Sequence, residues 1–279
     1  MDINDSVVII DKPPGHVCHE ITSFVKKITG VKRTGHAGTL DPNVSGVLPV
    51  ALGKATKLLR YISGKDKTYV GIVKFRKTLS KEEIEKLFSE FTGEISQIPP
   101  KKSAVRRKKR KRTVYYLKLL EVKNHLALFE TKVDAGTYIR TLCIDMGKKV
   151  DGARMEELRR ISVGNISEKQ IFTMQDLIDA MWLFENKKDD SLLKKMLFPP
   201  DKFIDFKKIK IKDSAVDALK SGAQLTVPGI ISFDKKIKKD ERVSIYSDKF
   251  IGVGVSQIDG NDFDKMKKGI VVKTERIHV

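Results

Sequence analysis

The chain has 279 residues, 40% of them hydrophobic, and carries a formal net charge of +19 because Lys and Arg outnumber Asp and Glu. This length favours a large domain followed by a small one. No apolar run approaches the roughly eighteen residues that cross a bilayer, which predicts a soluble protein. The positive charge favours a polyanionic partner such as nucleic acid, although an acidic membrane surface would also attract it.

The N-terminus and the cysteines bear on where the protein works. The first five residues are acidic and lead directly into an apolar segment, unlike a secretory signal or an Arg-rich transit peptide. Cys18 and Cys143 are far apart and fit neither a disulfide framework nor a paired zinc motif. His16, Cys18 and His19 have no evident fourth ligand, so we expect no metal site. These features predict a reducing, cytoplasmic location.

The first elements of the chain follow distinct periodicities. Residues 7–10 are apolar and β-branched, which predicts a buried strand that ends at the turn formed by residues 11–15. Residues 19–28 predict a helix that Gly30 ends, because apolar residues recur three and four apart: Ile21, Phe24, Val25 and Ile28. The glycine-rich residues 34–47 predict a constrained loop.

Three further elements precede a strongly basic segment. Residues 54–62 predict a second helix and residues 68–75 a strand. Ser80 followed by Glu83 forms a capping box, which predicts the start of a third helix. Residues 101–112 then contain nine basic residues and no acid. Such a run predicts a solvated loop, a localisation patch or a loop that contacts RNA.

The strand and helix signals continue after the basic segment. Residues 114–122 and 126–133 predict a strand pair that extends a mixed sheet. A helix is predicted from Gly136, and Arg140 lies on the flank of its buried face, which comprises Ile139, Leu142, Cys143 and Met146.

The last third of the chain predicts a domain boundary. Helices are expected at residues 155–160 and 174–185, and polar and proline-rich stretches follow up to residue 200. We therefore predict a large domain over residues 1–200 and a small β domain over residues 201–279, which gives an α+β class. The small domain combines one helix-like segment with three β-rich runs, at residues 215–220, 242–246, 250–256 and 269–273.

The glycine-rich loop carries the strongest chemical signal. It places Asp41 between apolar segments, directly before Pro42. An Asp before Pro is ordinarily a turn former whose side chain bonds nearby amides. The same setting also suits a carboxylate held partly away from water beside an electrophile, as glycosidic-bond chemistry requires. The loop residues alone leave both interpretations open.

Five segments in order give the sequence a family resemblance: residues 11–15 (Asp-Lys-Pro-Pro-Gly), 35–50, 67–70 (Lys-Thr-Tyr-Val), 97–105 and 136–140 (Gly-Thr-Tyr-Ile-Arg). They resemble the motifs of the TruB and dyskerin pseudouridine synthases. The resemblance implies a catalytic domain with a central mixed sheet flanked by helices. It also implies isomerisation of uridine to pseudouridine in RNA, which needs no cofactor. Residues 205–279 resemble the small, barrel-like PUA domain, an RNA-binding module.

The resemblance also implies roles for individual residues. Asp41 is expected to be the catalytic carboxylate, Tyr69 to stack on a base flipped out of the RNA, and Arg140 to pair with the carboxylate in a partly buried site. Active-site support is expected from Lys12, His36, Gly38, Thr39 and Leu40. Contacts with the RNA backbone are expected from Lys102, Ser103, Arg106, Arg107, Lys108, Arg110 and Arg112.

Plain structural roles remain open for several of these residues. Arg140 would otherwise form a surface salt bridge, and Tyr69 would pack within its strand. Lys12 would otherwise be a simple surface lysine, and His36 would pack against its loop.

Three segments resemble the archaeal and eukaryotic box H/ACA branch of the family: residues 18–20, 102–107 and 155–160. This branch implies rRNA as the substrate, with tRNA as a second candidate, a guide RNA that selects the uridine, and small accessory proteins. The short N-terminus and Gly164-Asn165-Ile166 depart from the family pattern. The alternatives are a stand-alone tRNA pseudouridine synthase that modifies the TΨC arm without a guide, and a non-catalytic RNA-binding scaffold.

Overall fold

The structure, a computed structural model, describes residues 2–100 and 106–278. The chain divides into two compact units, Met1–Phe198 and Pro199–Val279, each with its own hydrophobic core.

A mixed sheet forms the centre of the first unit. Among the described residues it has ten strands: β1 (Asp5–Lys12), β2 (Thr34–His36), β3 (Ser45–Gly53), β4 (Lys67–Phe75), β5 (Gly93–Gln97), β6 (Arg110–Lys123), β7 (Leu126–Val133), β8 (Ala153–Val163), β9 (Ile166–Ser167) and β10 (Leu197–Phe198). Their order is β10-β1-β3-β8-β4-β7-β6-β5, with β2 added to β3 and β9 to β8. β3 and β8 run parallel, whereas β1 with β3 and β4 with both β7 and β8 are antiparallel. The predicted mixed sheet is confirmed.

The helices that flank this sheet are α1 (Cys18–Thr29), α2 (Leu59–Ser63), α3 (Lys81–Glu90), α4 (Ile139–Gly147), α5 (Met174–Lys187) and α6 (Ser191–Met196). All of these except α2 contribute buried apolar residues to the hydrophobic core of the first unit. The predicted helices from residues 19, 80, 136 and 174 are confirmed, including the capping box of Ser80 and Glu83. Gly30 ends α1 in the left-handed conformation. No helix within the described ranges is long and apolar enough to cross a membrane.

The predicted helix over residues 155–160 is wrong, because these residues lie in β8. Arg160 pairs with Gly46 of β3, and Leu158 pairs with Gly71 of β4. A segment inserted between two strands forms ladder hydrogen bonds on both sides, which outweighs the weak helix preference of its Met, Glu and Arg residues. The β-branched Ile161 and the residues after it were the strand signal that the helix prediction overlooked.

Smaller corrections concern element boundaries. The predicted helix over residues 54–62 is a 3-10 turn followed by the short α2. The loop predicted over residues 34–47 is narrower, because β2 and β3 occupy its two ends. Phe24 is 45% exposed and lies outside the buried face of α1, which Thr22 completes instead.

The second unit contains a six-stranded sheet among its described residues: β11 (Lys207–Ile211), β12 (Leu225–Thr226), β13 (Ile230–Phe233), β14 (Arg242–Tyr246), β15 (Phe250–Ser256) and β16 (Ile270–Ile277), with one short helix, α7 (Val216–Lys220). The strand order is β12-β16-β15-β14-β11-β13. The sheet wraps around a core that includes Ile209, Val243 and Val253. The predicted small, barrel-like β fold is confirmed.

One glycine permits the parallel contact between β3 and β8. Gly46 has a φ of +103°, which side-chain-bearing residues rarely adopt. A Cβ atom at this position would lie 2.2 Å from the carbonyl oxygen of Arg160. Gly46 therefore lets β8 approach the end of the loop that carries Asp41.

We expect Gly46→Ala to lower the free energy of unfolding by about 3 kcal/mol or more, because backbone strain and overpacking add together. Gly93→Ala is the matched control, since Gly93 has a similar φ of +95° but nothing within 4 Å of its Cβ position. We expect the control to lose only about 1 kcal/mol, the cost of a left-handed φ alone. Urea unfolding measures both values. Equal losses would contradict the steric argument.

Candidate active site

The loop between β2 and β3, residues 37–44, presents Asp41 beside Arg140. One carboxylate oxygen of Asp41, Oδ2, lies 2.6 Å from Nη2 of Arg140, which stands in the first turn of α4. The two side chains are 47% and 50% exposed, respectively. The pair is therefore partly buried, as the sequence analysis expected, and each side chain keeps about half of its surface in contact with water. The exposed half leaves the carboxylate open to an incoming ligand.

Lys12 supports this loop from beneath. It is fully buried at the end of β1, and its ammonium group donates to the carbonyl oxygens of Pro13, Pro42 and Val44 at 2.9, 2.8 and 2.8 Å. Burial lowers the pKa of Lys12, and the charge of Asp41 opposes that effect. Lys12 therefore fixes the loop just after Asp41, so it is not a surface lysine.

Cys18 fixes the loop just before Asp41. The backbone N–H of Leu40 donates to its sulfur at 3.1 Å, and the thiol donates to the Leu40 carbonyl at 3.4 Å. Burial raises the pKa of the Cys18 thiol, which keeps its proton available for that bond. Leu40 itself is buried at 4% exposure. Sequence reasoning missed this role of Cys18, although it noted the residue for its place in a family-like segment.

Arg160 is a second residue that sequence reasoning missed. It is 1% exposed, and its Nε donates to the carbonyl of Val47 at 2.8 Å while Nη2 donates to that of Gly38 at 3.1 Å. Gly38 has a φ of +96°, and a Cβ there would lie 3.3 Å from the Arg160 guanidinium. The absence of a side chain at Gly38 thus gives the guanidinium room behind the loop.

Arg140 is positioned from the other side by Gln97. Tyr138, the residue before α4, supplies no side-chain cap to that helix. The buried side-chain amide of Gln97 forms hydrogen bonds with both backbone groups of Tyr138. Nε2 donates to the Tyr138 carbonyl at 3.1 Å, and the Tyr138 N–H donates to Oε1 at 3.0 Å. This two-sided clamp fixes the backbone two residues before Arg140. Sequence reasoning placed Gln97 in a family-like segment without assigning it a contact.

Tyr69 lies in β4 on the same sheet, paired in register with Arg160 of β8. Its side chain is 7% exposed and belongs to the hydrophobic core of the first unit. Strand packing is therefore part of its role, which the sequence analysis had left open beside base stacking.

The other predicted support residues surround the same loop. His36 ends β2 and is partly buried, and burial lowers the pKa of its imidazole, with the nearby charge of Arg160 adding to the effect. Its Nδ1 is buried without a hydrogen-bond partner in the described part of the chain. The lowered pKa favours a neutral His36 imidazole beside the loop.

Thr39 is exposed on the loop surface.

The basic segment divides into differently placed residues. Lys102 and Ser103 lie outside the described residues. Arg106, Arg107 and Lys108 are exposed, and Arg107 donates to the Pro99 carbonyl at 3.3 Å.

The sequence analysis predicted a loop over residues 101–112, but the end of this segment, from Arg110, lies in a strand. Arg110 and Arg112 lie in β6 and pair with Gln97 and Ile95 of β5. The Arg112 guanidinium lies beside the turn at Gly136, where a Cβ would be 3.2 Å from its Nη2. The run of charges predicted a solvated loop, but pairing with β5 gives Arg110 and Arg112 a strand conformation.

Lys67 adds a third buried cation near the loop. Its ammonium group donates to the carbonyls of Ser63 and Lys65 at 2.7 and 2.6 Å. Burial, with a contribution from Arg160, lowers the pKa of Lys67 to about 8. The loop thus presents an accessible carboxylate on one side and rests on buried positive charges on the other.

Comparisons with known protein families cover the chain in three parts. Residues 26–85 and 76–139 match the TruB family pseudouridylate synthase N-terminal domain. Residues 140–205 match the tRNA pseudouridylate synthase B C-terminal domain, and residues 207–278 match the PUA domain.

Relatives and solved structures cover nearly the whole chain. A protein of Pyrobaculum calidifontis named "Probable tRNA pseudouridine synthase B" is 42% identical over 99% of this chain and 84% of its own length. A chain in the crystal structure of a Cbf5-Nop10-Gar1 complex is 38% identical with a TM-score of 0.91, covering 99% of this chain and 86% of that one. A chain in the structure of an H/ACA RNP bound to a substrate RNA containing 2′-deoxyuridine is 35% identical with a TM-score of 0.90, covering 99% and 86%. The chain therefore belongs to the TruB family of pseudouridylate synthases and carries a PUA domain.

Proposed function

We propose that this chain isomerises uridines in RNA as the catalytic subunit of a guide-directed box H/ACA particle, with Asp41 as its catalytic carboxylate. The observation that carries this proposal is the likeness of 99% of the chain, at a TM-score of 0.90, to a chain of an H/ACA RNP bound to substrate RNA. The structures of similar chains are complexes with proteins named Nop10 and Gar1. Small accessory proteins of this kind are therefore the proposed partners, together with guide RNA.

The reaction breaks the bond from N1 of uracil to C1′ of ribose, turns the base and forms a bond from C5 to C1′. The proton on C5 is lost and N1 gains one, so the reaction is an isomerisation without a net redox change. The ionised Asp41 would either stabilise positive charge that develops at C1′ or attack that carbon. Arg140, whose Nη2 lies 2.6 Å from Oδ2 of Asp41, would hold the carboxylate in a fixed direction. Tyr69 would lie against the flipped base and help to move the C5 proton.

Two alternatives bear on this proposal. The name of the Pyrobaculum relative favours a tRNA substrate, which a stand-alone enzyme would modify without a guide. A non-catalytic RNA-binding scaffold would have no use for the paired Asp41 and Arg140, and that pair favours an enzyme.

The assay that separates the guided enzyme from the stand-alone enzyme is tritium release from RNA labelled at C5 of uridine. The chain is assayed with archaeal Nop10 and Gar1 on a target RNA, with and without an H/ACA guide hairpin complementary to it. A guide-free tRNA transcript is assayed in parallel. We expect turnover of the target only with the guide. Release from tRNA alone, with none from the guided target, would support the stand-alone enzyme instead.

In the same assay, Asp41→Asn is expected to abolish tritium release while RNA affinity stays within about threefold, because an amide can neither stabilise C1′ as an anion does nor attack it. Asp190→Asn serves as the control, since Asp190 forms an exposed pair with Lys194. Normal turnover by the Asp41 variant would refute the proposed mechanism.

The exposed residues of the basic segment are expected to contact phosphates. Arg106→Gln and Lys108→Gln should each reduce the slope of log affinity against log salt by about one, with kcat unchanged at saturating RNA. Lys81→Gln, at an exposed position on α3, should leave the slope unchanged. Binding titrations at several salt concentrations give these slopes. Variants with the wild-type slope would exclude the segment from the RNA interface.

A further inference from the structure

Three lysine and arginine residues are buried within the described chain, and all of them lie near the loop that carries Asp41. Lys12, Lys67 and Arg160 are 0%, 6% and 1% exposed. None of the three forms an ion pair with a carboxylate among the described residues, and each donates to backbone carbonyls instead. Burying a charge without a counter-charge opposes folding. Their concentration at one loop therefore needs a functional reason.

The contacts of Arg160 and Lys12 bracket Asp41 in the sequence. Arg160 holds the carbonyl of Gly38 before Asp41 and that of Val47 after it. Lys12 holds the carbonyls of Pro42 and Val44 between those two points. The backbone on both sides of the carboxylate is thus fixed by charged donors, whose hydrogen bonds are stronger than those of neutral donors.

The planar guanidinium of Arg160 suits this task because it presents donors in fixed directions. Nε and Nη2 reach two carbonyls that belong to the two ends of the loop, Val47 in β3 and Gly38 next to β2. A lysine at this position would keep the charge without the fixed angle between donors.

We propose that Arg160 is a positioning residue of the isomerisation, which holds both ends of the Asp41 loop and thereby aims the carboxylate at the ribose carbon. This inference rests on the proposed catalytic role of Asp41. Arg160 is 1% exposed and cannot touch RNA in a duplex or in a flipped-out base, so its removal affects the chemical step and spares substrate binding. A small displacement of a reacting group is enough for a large loss of rate.

The test compares Arg160→Gln and Arg160→Lys with the wild type in the tritium-release assay, using the assembled particle. We expect kcat to fall by about a hundredfold for Gln and about tenfold for Lys, which retains the charge and one donor. KM and RNA affinity should stay within threefold. We expect Lys to rank above Gln in kcat because it keeps the positive charge that binds the loop carbonyls, and a separate core variant tests loss of packing.

Two controls separate positioning from loss of stability. Arg154→Gln changes an exposed arginine of the same strand. Phe88→Leu weakens the core at the ring contact with Phe129, on α3 and away from the loop. Both variants should keep the wild-type kcat at a temperature well below their unfolding transitions. If Arg160→Gln does not fold, Arg160→Lys carries the test by itself.

The outcomes distinguish this inference from the function on which it rests. Folded Arg160 variants with kcat within twofold of the wild type would overturn the positioning role. A loss of kcat in Phe88→Leu equal to that in Arg160→Gln would overturn it as well, because general destabilisation would then explain both. A wild-type particle that releases no tritium would overturn the proposed function, and the inference with it.

Discussion

The parallel contact between β3 and β8 is the constraint on which the site depends. It joins the antiparallel strands β1 and β3 to β4, β7 and β6 within one sheet. The contact is short, with Ser45 and Gly46 opposite Arg159 and Arg160. Because these pairs lie at the start of β3, β8 places the charged side chain of Arg160 against the buried side of the loop that precedes β3. The same register places Tyr69 of β4 next to that side chain, so one strand joint brings together residues that are distant in the sequence.

The cost of removing a charge from water explains why the ion pair of the loop is exposed to solvent whereas its buried cations bond to carbonyl oxygens. Asp41 and Arg140 remain about half-exposed, where ions are well solvated and a pair between them adds little to stability. Lys12 and Arg160 are buried and satisfy their donors with carbonyl oxygens. A carbonyl partner meets the hydrogen-bond requirement of a buried cation without bringing a second charge into the core. Hydrogen bonds from buried cations therefore fix the loop backbone on its buried side, and the Asp41 side chain remains accessible to a ligand.

The sequence predicted more of the fold than of the site geometry. Local signals sufficed for α1 and α3, since apolar periodicity, the Ser80 capping box and the glycine at position 30 act over a few residues. They failed for β8, whose strand state comes from neighbours that are remote in the chain. The pairing of Asp41 with Arg140 was predicted only through family resemblance, because residue spacing carries no information on contacts across a sheet. The roles of Cys18 and Gln97 depend on side chains that reach specific backbone groups, which no sequence pattern revealed.

The burial of Lys67 makes the free energy of folding depend on pH. The pKa of this lysine in the folded chain is about 8, against 10.5 for an ordinary lysine. Below about pH 8 both the folded and the unfolded chain carry the proton, and the folded chain bears the full cost of a buried charge. Between the two pKa values the unfolded chain still binds the proton whereas the folded chain has released it, so the contribution of Lys67 to stability rises with pH across this window. In mildly alkaline solution the folded chain therefore no longer bears the desolvation cost of a charged Lys67, and folding is accompanied by proton release.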